Sequence, residues 1–135
     1  MKKTKNKFKA YSLSEILIVL AIIGILIMLV LPNQTSVIAQ ARSIEAQNML
    51  SHLYSLEKNY FYRHSKYSSS FEDLGFVQEK TIQDGGQAVY KIIITSANNN
   101  SFKAKAISLS DFDGDGVMNI WEIDQNRNLK EVVKD

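Results

Sequence analysis

Lys9–Asn33 reads KAYSLSEILIVLAIIGILIMLVLPN. From Ile16 to Leu31 it is an unbroken apolar run of sixteen residues, with Ala21 and Gly24 as its only small members. As a helix rising about 1.5 Å per residue, the run spans roughly 24 Å, slightly less than the ~30 Å hydrocarbon core of a bilayer. Leu13 and the Tyr11 ring extend it. Glu15 stands at the edge of this run. An unpaired carboxylate beside a lipid-spanning helix is costly, so Glu15 requires a partner.

Composition limits what can surround this segment. The chain has 135 residues, enough for one small domain and a helical extension. Its formal charge of +2 conceals an asymmetry. Lys2, Lys3, Lys5, Lys7 and Lys9 precede the apolar run with no acid among them; the remainder has 11 basic and 14 acidic residues, a net of −3. The basic character therefore belongs to the first ten residues, and no nucleic-acid partner is inferred. There is no cysteine, which excludes disulfides, thiolate metal sites, cysteine nucleophiles and a lipidated cysteine. Five lysines before the run and few charges just after it place the N-terminus in the cytoplasm.

Two simple readings of the segment leave Glu15 unexplained. A plain single-pass anchor gives the carboxylate no partner. A secretory signal could end at the small-x-small sequence Ala39-Gln40-Ala41. It would then run to about 41 residues, well above the usual length of roughly 15–30.

The same stretch closely resembles the leader and mature start of type IV pilins and type II secretion pseudopilins. In that family a basic leader is cut before an aromatic residue, which is then N-methylated. Glutamate is the fifth mature residue and proline the twenty-second. A cut between Ala10 and Tyr11 makes Glu15 the fifth and Pro32 the twenty-second. Ala10 stands where the family usually has Gly, Tyr11 where it has Phe, and Ser14 where it has an aliphatic residue. The resemblance implies that the new Tyr11 amine of one subunit pairs with Glu15 of its neighbour. In a low dielectric such a pair is far stronger than in water. It also implies a prepilin peptidase and methyltransferase, an inner-membrane assembly platform, and identical or related pilin subunits as partners. The apolar run then serves first as an anchor in membrane lipid and later as the core of a filament.

Beyond Pro32 the helical pattern continues. Ala46, Met49, Leu53, Leu56 and Tyr60 recur at three- and four-residue spacing, a narrow apolar stripe. Arg42, Glu45, Gln47, His52, Glu57 and Lys58 are read as lying off it. One helix is expected from about 12 to 63, kinked or loosened by Pro32. His52 and His64 are isolated and read as surface residues. Leu53–Phe76 also resembles pilins, in which an aromatic helix end leads through a polar turn to a Leu-Gly-Phe element. Tyr60, Phe61, Tyr67, Leu74 and Phe76 are expected to hold that turn against the helix.

The second half has the marks of strands. Gln87–Thr95 is rich in β-branched residues, with Tyr90, Ile92 and Ile94 on one face. Ser96–Asn100 is a turn. Phe102, Ala104 and Ala106 alternate with Lys103 and Lys105 in the returning strand. Ile120–Asp124 and Leu129–Val133 form a second hairpin. Helix followed by antiparallel sheet gives an α+β fold. The expected divisions are a leader over 1–10, a membrane and assembly helix over 11–32, an amphipathic helix over 33–64, and a head over 65–135.

Between the hairpins lies DFDGDGVMNIWE, Asp111–Glu122. Acids at positions 1, 3 and 5, Gly116 at 6 and Glu122 at 12 match the EF-hand calcium loop. Carboxylates converging on a tight turn repel one another unless a cation neutralises them. The expected ligands are Asp111, Asp113, Asp115, the Val117 carbonyl and Glu122, all oxygen, which favours Ca²⁺. Strand alternation places Trp121 and Ile123 on one face and Glu122 and Asp124 on the other; Asn119 is a candidate substitute ligand, directly or through water, and Asp124 is left as an open alternative. The ion would staple the two hairpins of a chain without cysteine.

No catalytic constellation is evident. The reading is a structural prepilin of an inner-membrane and then periplasmic or cell-surface filament, a pilus or a secretion pseudopilus. The competing reading is a monomeric, single-pass, membrane-anchored calcium-binding domain.

Overall fold

The computed structural model describes residues 9–30 and 34–135. The lysine-rich leader up to Phe8 and the Pro32 kink lie outside the described residues, as does the continuity of the helix across that proline. The chain divides into two units, the second beginning at Thr35, and each is described by itself.

The first unit is helix α1, Leu13–Val30. Ser12 caps it: the Glu15 N–H meets the Ser12 carbonyl at 3.1 Å and its hydroxyl at 3.3 Å. Ser12 and Glu15 have the spacing of a capping box, in which a first-turn acid also complements the positive end of the helix. No residue of α1 is buried within the chain. By length and composition the helix can cross a membrane.

The second unit packs helix α2, Gln34–His64, on a four-stranded antiparallel meander. Its strands are β1 (Tyr90–Ala97), β2 (Phe102–Ser108), β3 (Ile120–Asp124) and β4 (Lys130–Val133). The α+β architecture expected from the sequence is therefore the observed one. The two hairpins are one sheet, because β2 pairs with β3 from Lys103↔Asp124 to Ile107↔Ile120. Backbone hydrogen bonds already join what the sequence reading left to a metal ion.

The core explains the chemistry of the strands. Ala46, Leu50 and Leu53 of α2 meet Tyr90, Ile92, Phe102, Ala104, Ala106 and Ile123. Ala104 and Ala106 are fully buried. The buried stripe of α2 runs Ala46, Leu50, Leu53, Glu57. It corrects the sequence reading twice: Leu50 belongs to the stripe, and Glu57, read as lying off it, is fully buried. Met49, Leu56 and Tyr60 flank this line and are partly buried.

The link from α2 to the sheet behaves as the aromatic pattern implies. Tyr67 stacks on Phe61 with ring centroids 4.8 Å apart and meets Phe102 at 5.1 Å. Helix α3, Phe71–Leu74, was not foreseen as a helix. The Ser70 hydroxyl caps it, and Gly75 ends it at φ 68°. Leu74 and Phe76 then enter the core. His52 and His64 are exposed.

The open edge of β1 is covered by side chains. Glu45 Oε1 accepts the N–H groups of Val89 and Tyr90 at 2.9 and 3.2 Å. The Gln78 amide donates to the Tyr90 carbonyl at 3.1 Å and accepts the Ile92 N–H at 2.9 Å, as a neighbouring strand would.

Candidate functional sites

Each end of the chain carries a site. At the first, Tyr11, two residues ahead of α1, and Glu15 in its first turn line, with Ile16, Val19 and Leu20, a concave surface of about 340 Å³. Tyr11 is 77% exposed. Ala10, the residue before the expected cut, is also exposed and lies ahead of the helix, outside any regular element. Glu15 thus faces outward from an exposed apolar helix. Among the described residues no cation pairs with it.

Residues 5–31 match the prokaryotic N-terminal methylation motif. The chain is 35% identical over 72 residues to the Type IV major pilin protein PilA of Myxococcus xanthus (strain DK1622), an alignment covering 53% of this chain and 33% of that protein. The chain therefore spans about a third of the length of this curated relative. The motif, the capped apolar helix and the helix-on-sheet head agree. Together the motif and this relative support a type IV pilin or pseudopilin family for the chain. The membrane-length helix α1 and the motif are consistent with membrane anchoring and with a place in a filament.

The second site of the pilin head is the β2–β3 connection. Carboxylate oxygens of Asp111, Asp113, Asp115 and Asp135 lie within 4.8 Å of one another. The sequence builds this turn by folding its acids onto its own backbone. Asp111 accepts the Gly114 N–H at 2.6 Å and the Gly116 N–H at 2.7 Å. Asp113 accepts from Asp115 at 3.0 Å, and Asp115 from Val117 at 2.7 Å. Gly114 and Gly116 have φ of 83° and 87°, a left-handed conformation costly for any side chain with a Cβ.

Asp135 completes the group from the far end of the chain. Its carboxylate accepts the N–H of Phe112 at 2.9 Å and of Asp113 at 3.2 Å. No motif marks Asp135 in the sequence. The signal was the hairpin: Ile120 pairs with Val133, so residues after β4 return to the loop that precedes β3.

Glu122 is not brought to this group. It sits on the opposite face of β3 with Lys103, Lys105 and Lys130 at 3.5, 3.8 and 3.9 Å. The β-strand that follows the loop replaces the helix that would turn a twelfth-position acid inward. Asn119 and Asp124 are also engaged elsewhere. Asn119 Oδ1 accepts the Tyr90 hydroxyl at 2.8 Å, and its amide donates to Glu131 and to the Val133 carbonyl. Asp124 accepts from Asn126 and Asn128 in the β3–β4 turn.

The electrostatics differ between neighbouring acids. N–H groups of Gly116 and Gly114 hold Asp111 below the usual carboxylate range. Asp113 receives the Asp115 N–H, which lowers it, but desolvation and the charges of Asp115 and Asp135 outweigh this and raise it. Four close, all-oxygen, mutually repelling carboxylates suit a hard divalent cation.

The same loop borders a cavity. Ser43 and Gln47 of α2, with Asn119, Trp121, Glu131 and Asp135, line a volume of about 320 Å³. Trp121 Nε1 is buried there without a partner among the described residues.

Proposed function

We propose that this chain is a prepilin, cut between Ala10 and Tyr11, N-methylated on Tyr11, and polymerised into a type IV pilus or a type II secretion pseudopilus. The observation that carries this reading is Glu15. It is an exposed acid in the first turn of an apolar helix, four residues after the residue that would become the new N-terminus. Cleavage would create a cation at the concave surface that Tyr11 and Glu15 share, and packing against another subunit would place that amine beside a neighbour's carboxylate. Desolvation makes an unpaired Glu15 costly and a paired one favourable, so register and pairing are coupled. The peptidase, the assembly platform and the inner-membrane location with a cytoplasmic N-terminus follow from this reading. Mass spectrometry of the native protein tests it. The expected chain begins at N-methylated Tyr11; an intact Met1 start would leave the monomeric anchored domain as the reading.

The acidic loop is proposed as a structural Ca²⁺ site. Asp111, Asp113, Asp115 and Asp135 would supply carboxylate oxygens, and the Val117 backbone carbonyl is the further candidate. The ion would hold the long β2–β3 connection against the residues after β4. Calorimetric titration of the full chain in detergent with Ca²⁺ tests this. Absence of a binding isotherm at millimolar calcium would remove the proposal.

A further inference from the structure

The outward face of the sheet, opposite α2, carries an excess of cations. Lys91 projects between buried Tyr90 and Ile92 on β1. Lys103 and Lys105 project between Phe102, Ala104 and Ala106 on β2. In register across the sheet lie Asp124, Glu122 and Lys130. Four lysines therefore stand against two acids. Asp124 is also occupied by the β3–β4 turn. Glu122 alone collects Lys103, Lys105 and Lys130, which leaves that cluster positively charged.

The acidic loop is the complement. Its four carboxylates converge within 4.8 Å. Among the described residues none of them pairs with a lysine or arginine. The two patches use different residues of one head, so a contact between them is heterologous. Contacts of that kind build open helical polymers when the rotation does not close. One bound divalent cation would still leave the four-aspartate loop negative.

We propose that the lysine face of one head docks the Asp111–Asp115 loop of a second copy of this chain. This inference rests on the filament reading given above. Exposed ion pairs are individually weak. Their role here is to orient heads and fix their register while the apolar helices supply the adhesion.

The lack of native cysteine allows a direct test. Two full-length copies are coexpressed, one with Lys105→Cys and one with Met118→Cys. Met118 is exposed beside the loop and is outside the acidic group. Oxidation of sheared filaments should give a disulfide-linked dimer, severalfold more than when exposed Val77→Cys replaces Met118→Cys. Added salt during assembly should lower the yield, because screening shortens to about 3 Å near 1 M. Lys91→Glu, which spares the Glu122 cluster, should lower filament yield severalfold with unchanged melting. Normal filaments without the cross-link overturn the contact while assembly stands. Failure of the wild-type chain to form filaments overturns the assembly reading, and the contact with it.

Discussion

Glu57 on α2 accepts the backbone N–H of Ser68 at 3.1 Å through Oε2, while its buried Oε1 has no partner among the described residues. One carboxylate thus ties the segment after α2 to the helix. The Ser68 hydroxyl in turn meets Asp73 at 3.1 Å and the Ser70 N–H at 3.1 Å, which leads into the cap of α3. Burial pushes Glu57 up to about 7, against the lowering effect of the Ser68 N–H.

A pH dependence follows with a definite sign. The folded chain holds the Glu57 proton more tightly than the unfolded chain, where the ordinary value is 4.5. The contribution is complete below that value and is lost as pH rises to about 7. At about 1.36 kcal/mol per pH unit, the loss is on the order of 3 kcal/mol. Glu57→Gln keeps an acceptor for Ser68 and removes the charge. The variant should match the wild type near pH 4.5 and melt higher at pH 8. Equal melting of the two proteins across this range would contradict the assignment.

The edge clamp on β1 gives a second expectation. Glu45→Ala leaves the N–H groups of Val89 and Tyr90 without their acceptor. An unsatisfied buried donor costs about 1–3 kcal/mol. Chemical denaturation of the full chain in detergent should show a loss of that order, with an unchanged slope. Gln78→Ala should act similarly through Tyr90 and Ile92.

The architecture was legible because periodicity is a property of faces. Tyr90, Ile92, Phe102, Ala104 and Ala106 alternate in the sequence and are buried together. The match to prepilins was legible because a carboxylate at a membrane edge is too costly to be incidental. Glu57 was not legible: an acid in a stripe position reads as polar surface until a backbone donor is brought to it. Asp135 was hidden for a different reason, since a sheet register joins it to Asp113 across the intervening strands. The acidic spacing located the loop correctly, but it carried Glu122 along from a helical context absent here.

Assembly should depend on Glu15 in a way that insertion does not. Glu15→Val removes a charge from a helix that already has membrane length, so membrane localisation should be retained. Filament yield should collapse, because under the proposed pairing the Tyr11 amine would lose its carboxylate. Sheared-filament immunoblots against membrane-fraction immunoblots make the comparison. Wild-type filament levels from this variant would refute the pairing argument.

The proposed ion and its ligand set are separable by three substitutions. Asp113→Ala should lower the melting temperature in calcium and have little effect in chelator. With free calcium at about 100 times its dissociation constant, the stabilisation at stake is near 2.7 kcal/mol. Asp135→Asn should weaken calcium affinity, because it takes a charge from the oxygen group. Glu122→Gln should leave affinity unchanged, yet destabilise the head in both buffers by removing the common partner of Lys103, Lys105 and Lys130. Trp121, the single tryptophan, shares a cavity with Asp135, so its fluorescence supplies the titration readout. If Glu122→Gln abolished the calcium response and Asp135→Asn did not, the ligand set would be that of an EF-hand despite the strand that follows the loop.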